Sequence, residues 1–238
     1  MTATRCSHVL LAVRDLRQAV RDYRRLGFTV DYATAERTAR HAHVWFPSGP
    51  IIELLCPPRR AALYTWPIEL LAGRGAGRRM VRWAREAEGF CDVAVVVDTP
   101  DLTGPLARLR AAGIPTGRRV RWTRTRPDGA KTRFQFAYPR HNRLPFLVTP
   151  YDPPQHPEVT HPNGAFALTA VHMGVRDEDR AAFDLITAGD PTFRVEPAPA
   201  TAVLAVEIAG LRADPDPALT HGALVRPAVL PHGRREGG

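Results

Sequence analysis

The sequence lacks the features that would place the protein in a membrane or outside the cell. Its 238 residues contain no run of about 18 apolar residues, which is the length that a membrane-spanning helix needs. No basic segment followed by a signal-like apolar stretch opens the sequence. We therefore expect a cytoplasmic protein without a membrane partner.

Cysteine is also scarce. The sequence holds three, Cys6, Cys56 and Cys91, with no CxxC or zinc-type spacing. An odd number of cysteines without such spacing is typical of reduced thiols in a folded interior and not of a disulfide framework. We expect none of them to be a catalytic nucleophile.

Lysine is nearly absent, since Lys131 is the only lysine, yet the formal net charge is +9. Clustered cations would favour nucleic acid, because they release counterions from phosphates. Here the arginines are scattered instead of forming one stripe interleaved with aromatic residues, and no recognised nucleic-acid motif is present. The composition argues against a nucleic-acid partner and is compatible with an anionic small molecule.

Two stretches of the sequence repeat the order strand, helix, strand, strand, strand. In the first, the apolar run that begins at His8 predicts a strand, Asp15 is placed to cap a helix and Gly27 to end it. Asp101 and Gly113 are placed in the same way in the second. The predicted division is residues 1–58 for the first module, 59–88 for a helical insertion, 89–152 for the second module, 153–212 for a proline-rich strap with a partial third module, and 213–238 for a loosely held tail.

This tandem arrangement resembles the vicinal oxygen chelate superfamily through its segments HVLLAVRDL, YRRLGF and IIELL. It is more closely similar to glyoxalase-like proteins through the segments TRPDG, LPFLV, HP and HPNGA at 125–129, 144–148, 156–157 and 161–165. The resemblance implies an α+β fold of paired βαβββ modules around a cleft, with a partial third module. It also implies an enzyme of lyase, isomerase or dioxygenase type, or, as in some relatives, a protein that sequesters a drug or metabolite unchanged.

Metal-using members of that superfamily commonly place a histidine on the first strand of a module and a glutamate on the last. His8 and Glu53 match these positions in the first module, so the resemblance implies a divalent ion such as Zn, Fe, Mn, Ni or Co. In the second module, Cys91 or Asp92 and Thr149 stand there instead. The usual set of four ligands is therefore incomplete, and a metal-free site remains an alternative.

A shortened third copy starts near residue 168 and offers His172 and Glu207 as weaker metal-ligand candidates, provided that it folds toward the cleft. Glu53 is the strongest single candidate, because a carboxylate among isoleucine and leucine is costly to bury unpaired. We interpret Glu53 as a metal ligand or general base and His8 as its co-ligand or proton shuttle. Without a metal, apolar surroundings would raise the pKa of Glu53 and let it abstract a proton beside a carbonyl.

Four further histidines have open interpretations. His41 and His43 alternate on a predicted strand and so face one side, either as a metal pair or, as we favour, as rim residues. His156 and His161 lie in the proline-rich strap and are expected to shape a loop. The expected substrate is a small oxygenated or carbonyl-containing metabolite, with arginines near the cleft orienting an anionic group. Paired modules can also associate between chains, so a homodimer is possible.

Overall fold

The structure is a computed structural model that describes residues 4–155 and 157–228. Its strands are β1 (Thr4–Ala12), β2 (Asp31–Tyr32), β3 (His41–Val44), β4 (Ile51–Leu55), β5 (Gly89–Val97), β6 (Val120–Thr125), β7 (Lys131–Ala137), β8 (Phe146–Val148), β9 (Ala167–Val175), β10 (Phe193–Pro197), β11 (Ala202–Ala209) and β12 (Val225–Pro227). Its helices are α1 (Leu16–Arg25), α2 (Thr65–Ala72), α3 (Ala76–Arg85), α4 (Thr103–Ala111) and α5 (Asp177–Thr187), with a 3₁₀ turn at Ala61–Tyr64 before α2.

The first eight strands form one mixed sheet in the order β2-β3-β4-β1-β5-β8-β7-β6. Each half of this sheet is one βαβββ module, because β1 is parallel to β4 and β5 is parallel to β8. The modules meet where β1 and β5 pair antiparallel, with His8 opposite Ala94. This is the α+β arrangement of paired modules that the sequence predicts.

The helices of the two modules begin and end near their predicted residues. The Asp15 carboxylate accepts a hydrogen bond from the backbone N–H of Gln18 at 3.0 Å, and Gly27 adopts a φ of 81° just after α1. Asp101 accepts from the backbone N–H of Thr103 at 2.6 Å where α4 begins. None of the described helices is long and apolar enough to cross a membrane.

Side chains alternate between the two faces of the large sheet. Val9 and Leu11 of β1 belong to the main hydrophobic core, while Leu10 and Ala12 belong to a smaller cluster on the opposite face. We call this opposite face the inner face. Trp83 of α3 packs in the same smaller cluster, so the helical insertion covers part of the inner face.

The partial third module is a separate four-stranded sheet in the order β10-β9-β11-β12. Its residues Val171, Met173 and Val175 share the main core with Val9, so this sheet packs on the large sheet on the side opposite the inner face. Its strand order differs from that of the two modules, because β10 and β11 both pair directly with β9. The third module therefore lies away from the inner face.

The segment after residue 212 is attached to the rest of the fold. β12 pairs with β11, and the His221 ring lies 3.2 Å from a carboxylate oxygen of Asp22 and 3.4 Å from one of Glu88. The expectation of a loosely held tail over 213–238 is corrected up to residue 228, because strand pairing and these carboxylates hold the segment. Residues 229–238 lie outside the described part of the chain.

Candidate active site

Glu53 is the centre of a group of histidines on the inner face of the large sheet. Glu53 lies on β4, His8 on the adjacent β1, and His41 and His43 on β3 at the other side of β4. The strand register places His43 directly opposite Glu53 and places Leu10 beside it on β1, so His8 is two residues from that partner and on the same face. We call these four residues the Glu53 cluster.

The Glu53 carboxylate contacts all three imidazoles. Its Oε2 lies 3.4 Å from Nε2 of His8 and 3.9 Å from Nε2 of His43, while its Oε1 is hydrogen-bonded to Nδ1 of His41. The side chains of Glu53, His8 and His43 are buried, whereas that of His41 is 43% exposed. One carboxylate oxygen therefore faces buried imidazoles, and the other is connected through His41 to solvent.

The charge state of the cluster follows from burial and from these contacts. Burial alone would raise the pKa of Glu53, but the facing imidazoles, His41 first, reverse this effect and leave the pKa below its ordinary value. Burial lowers the pKa of His43 to about 3 and also lowers the pKa of His8. At neutral pH the cluster thus combines an ionised carboxylate with neutral buried imidazoles. The expectation of a raised Glu53 pKa is corrected, because the imidazoles outweigh the apolar neighbours.

The donor chemistry of His8 and Glu53 fits a divalent metal ion, since a neutral imidazole and an ionised carboxylate are the forms that bind one. Two ligands at about 2.1 Å from one ion lie roughly 3.0–3.4 Å apart, and the two donor atoms are 3.4 Å apart. His43 lies farther away, and His41 occupies the other carboxylate oxygen. Accordingly, across residues 4–155 and 157–228 no three His, Cys, Asp or Glu side chains are arranged to hold a metal ion.

The second module has apolar residues where the first has its two ligand candidates. Because His8 lies opposite Ala94 at the junction of the modules, Ala94 is its counterpart, and the same register makes Val148 the counterpart of Glu53. The sequence predicts Thr149 at the second of these positions. Its hydroxyl instead accepts a hydrogen bond from a backbone N–H of β7 at 2.9 Å.

Asp92, offered by the sequence at the other position, forms a buried ion pair. Its carboxylate accepts hydrogen bonds from Arg79 at 2.7 Å, Arg82 at 2.9 Å and the indole of Trp83 at 2.8 Å. Arg79 and Asp92 are 0% and 1% exposed, so the pair fastens α3 to the inner face. Cys91 is buried, and burial raises the pKa of its thiol well above the ordinary value. Within the described residues, neither Asp92 nor Cys91 forms a side-chain hydrogen bond or an ion pair with the Glu53 cluster.

His172 and Glu207 are brought together, but away from Glu53. Nε2 of His172 lies 2.7 Å from Oε1 of Glu207 on the four-stranded sheet. His172 alternates with Val171 and Met173, which face the shared core, so it points away from the large sheet. These two weaker candidates cannot reach the cluster from that face.

His161 connects the proline-rich strap to the first module through two hydrogen bonds. Its Nδ1 accepts a hydrogen bond from the backbone N–H of Thr29 at 2.9 Å, and its Nε2 donates to the carbonyl oxygen of Trp45 at 2.7 Å. This pattern needs a neutral ring, and burial lowers the pKa of His161 accordingly. His156 lies outside the described residues.

A cavity of about 650 Å³ opens beside the cluster and shares His43 with it as a wall. Arg124 also lines the cavity. Its Nη1 lies 3.4 Å from Nε2 of His43, and its guanidinium lies over the rings of Phe134 and Tyr151. The other lining residues include aromatic, proline and charged side chains: Arg24, Asp31, Tyr32, Glu36, Trp45, Arg126, Pro127, Asp128, Pro154, Gln155 and Pro157.

Sequence reasoning missed two of these features. It did not single out Arg124, and it favoured a rim position for His41 and His43. The sequence does contain a signal for His41 and His43. They alternate with Trp45 on a predicted strand, and a single turn separates that strand from the strand of Glu53. No sequence signal links Arg124 to His43, which is 81 residues away.

A sequence model of the glyoxalase-like domain family matches residues 6–188. No curated protein matches the sequence significantly. Among solved structures, the chain is similar to a hypothetical protein from Staphylococcus aureus, with a TM-score of 0.67 and 13% identity over 93% of this chain and 98% of that one.

Two enzymes of solved structure are also similar. The Mn(II)-bound glyoxalase from Novosphingobium aromaticivorans has a TM-score of 0.51 and 11% identity, over 88% of this chain and 66% of that one. Homoprotocatechuate 2,3-dioxygenase from Brevibacterium fuscum has a TM-score of 0.50 and 12% identity, over 87% of this chain and 64% of that one. At these identities the likeness shows the fold alone.

Proposed function

This chain belongs to the glyoxalase-like domain family, and on that premise we propose that it is an enzyme that converts a small oxygenated or carbonyl-containing metabolite in the cavity beside the Glu53 cluster. The observation that carries the proposal is the convergence of three imidazoles on one buried, ionised carboxylate. A buried charge is costly, and an apolar residue would serve the sheet at lower cost. The cluster is therefore better explained by chemistry than by packing.

His8 and Glu53 would hold a divalent ion, and such an ion would supply positive charge that stabilises an oxyanion of the substrate. This assignment is supported by the donor types and by their 3.4 Å separation. The Mn(II) of the glyoxalase from Novosphingobium aromaticivorans makes manganese the first ion to test.

The chain's own residues define a proton path. In the absence of a metal ion on Oε2, the ionised Glu53 carboxylate accepts a proton there from the carbon next to a substrate carbonyl. Its Oε1 is hydrogen-bonded to Nδ1 of His41, and the partly exposed ring of His41 connects the carboxylate to solvent. Because the pKa of Glu53 is low, the carboxylate is a weak base. It therefore suits substrates whose carbanion is delocalised into a neighbouring oxygen.

The catalytic part of the proposal is tested with Glu53→Gln, which keeps the shape of the side chain and removes its charge. We expect hydrogen–deuterium exchange and turnover of carbonyl-containing metabolites to fall by about 10²- to 10⁴-fold, with ligand affinity nearly unchanged. Glu207→Gln is the matched control, because it also removes a carboxylate bonded to a histidine, but outside the cluster. Turnover by Glu53→Gln at the wild-type rate would contradict the assignment.

The metal part is tested by elemental mass spectrometry of gently purified protein, with and without added Mn²⁺. We expect near-stoichiometric metal in the wild type and in Glu207→Gln, and its loss in the His8→Ala, Glu53→Gln double variant. Wild-type protein that takes up no divalent ion would refute the metal part and leave carboxylate acid/base chemistry.

A second candidate function is sequestration of a small molecule without chemical change. It is favoured by Ala94 and Val148, which leave the second module without ligands, since binding needs only a shaped cavity with a few polar anchors. In that case the ligand is recovered unaltered from its complex, whereas recovery of a product excludes this candidate.

A further inference from the structure

We infer that the cavity beside the Glu53 cluster takes a small 2-oxygenated carboxylic acid, and that Arg124 binds its carboxylate. The position of the reacting carbon rests on the proposed function. The carboxylate site rests on the geometry of Arg124 and the cavity.

Arg124 is a cation held without a counter-anion. Its buried Nε has no hydrogen-bond partner, its Nη1 lies 3.4 Å from Nε2 of His43, and it forms no ion pair within the described residues. The two other arginines that line the cavity differ. Arg126 pairs with Asp128, and Arg24 donates to a backbone carbonyl at 2.8 Å.

The guanidinium of Arg124 is fixed before any ligand arrives. Its central carbon lies 5.7 Å from the ring centre of Phe134 and 5.2 Å from that of Tyr151, distances at which ring faces attract a cation. These rings also displace water from the guanidinium. An anion that binds to the terminal nitrogens of the guanidinium forms the charge-assisted contacts that arginine makes best with carboxylates.

No negative side chain forms an ion pair with Arg124 within the described residues, and the nearby Glu53 carboxylate is instead in contact with the three imidazoles of its cluster. Asp128 is already paired with Arg126. Asp31 and Glu36 are exposed, so solvent screens them. The guanidinium of the partly exposed Arg124 is therefore not paired with any carboxylate that lines the cavity.

The position of Arg124 limits the length of the acid. Nε2 of His43 lies 3.4 Å from Nη1 of Arg124 and 3.9 Å from Oε2 of Glu53, so one ring atom contacts both the anion site and the proton acceptor. A carboxylate on Arg124 then places the next one or two carbons at His43, the residue of the Glu53 cluster that lines the cavity. A hydroxyl or carbonyl on that carbon contacts His43, and a larger substituent contacts the wall that contains Trp45. The arrangement suits a 2-hydroxy or 2-oxo acid.

The test compares carboxylates with their neutral amides by isothermal titration calorimetry, with lactate, mandelate, lactamide and mandelamide as probes. We expect each acid to bind more tightly than its amide, and Arg124→Gln to weaken acid binding by about 10- to 100-fold with little effect on the amides. Arg124→Lys keeps the charge without the planar fork and is expected to fall in between. Arg126→Gln is the matched control, since it removes a cavity arginine that is already paired.

Three outcomes would overturn the inference: no acid binds the wild type up to its solubility limit, acid and amide bind equally, or the acid preference survives Arg124→Gln. If Arg124→Gln fails to fold, the affinity of Arg124→Lys for the acids is compared with that of the wild type. Equal affinities would overturn the inference. Binding measured in Glu53→Gln separates the two proposals. Acid binding that depends on Arg124 there supports the anion site even if turnover does not depend on Glu53.

Discussion

Replacing Asp92 by asparagine tests whether a buried ion pair, and not a metal or substrate contact, is the role of this residue. The carboxylate is almost completely buried and accepts hydrogen bonds from Arg79, Arg82 and Trp83. Asparagine keeps the volume and one acceptor oxygen but removes the charge. The guanidinium of Arg79, which is fully buried, would then lack a counter-ion.

The expected loss of stability is large compared with the total. Breaking a buried ion pair from one side costs about 3–5 kcal/mol, and the retained acceptor places Asp92→Asn near the lower end. A domain of this size is stable by about 5–15 kcal/mol. At roughly 2–4 °C per kcal/mol, a loss of about 3 kcal/mol lowers the melting temperature by about 6–12 °C.

The measurement is thermal and urea unfolding at pH 7, with Asp152→Asn as the matched control. Asp152 also pairs with an arginine, Arg133, but at 3.8 Å and with both side chains mostly exposed, so its loss leaves the melting temperature nearly unchanged. An Asp92→Asn variant that melts with the wild type would refute the reasoning. The double change Arg79→Met, Asp92→Leu removes both charges and is expected to restore most of the loss.

Two further predictions concern stability. Because burial lowers the pKa of His161 in the folded state, the folded protein binds fewer protons there than the unfolded chain, and stability is lost as the pH falls below about 6.5. In urea unfolding, His161→Gln should therefore lose less stability than the wild type between pH 7.5 and pH 5. His141→Gln, which replaces a partly exposed histidine, is the control. If both variants lost the same amount of stability over this pH range, the prediction would be wrong. Gly49 and Gly129 both have φ of 81°, but an added Cβ would lie 2.3 Å from the carbonyl oxygen of Leu168 only at Gly49. Gly129→Ala should lower the free energy of unfolding by about 1–2 kcal/mol through backbone strain alone. Gly49→Ala should lower it by clearly more. Equal melting temperatures of the two variants would show that the contact with Leu168 is unimportant.

The first module shows how much of the fold local sequence signals predict. The apolar run at His8 is a strand, Asp15 caps α1, and Gly27 follows its end in the left-handed region. These predictions hold because capping, helix termination and strand alternation depend on neighbouring residues. The same signals in the second module, together with the resemblance, were sufficient to predict the paired modules.

The candidate site was predictable only in part. Glu53 stands out in the sequence because a carboxylate among aliphatic residues needs a partner, and the structure supplies partners for it. Which partners these are depends on strand register, which places His43 opposite Glu53 and His8 two residues from its neighbour on β1. The predicted upward shift of the Glu53 pKa is wrong for the same reason, since the imidazoles that lower this pKa come from other strands.

The sequence by itself determined the elements, the repeat and the one unusual carboxylate, because these follow from local patterns. Only the tertiary structure decided which polar groups meet. It pairs Asp92 with Arg79, turns His172 and Glu207 away from the large sheet, and places Arg124 against His43. Contacts of this kind join residues far apart in the chain, and they depend on sheet order and packing, which no local pattern specifies.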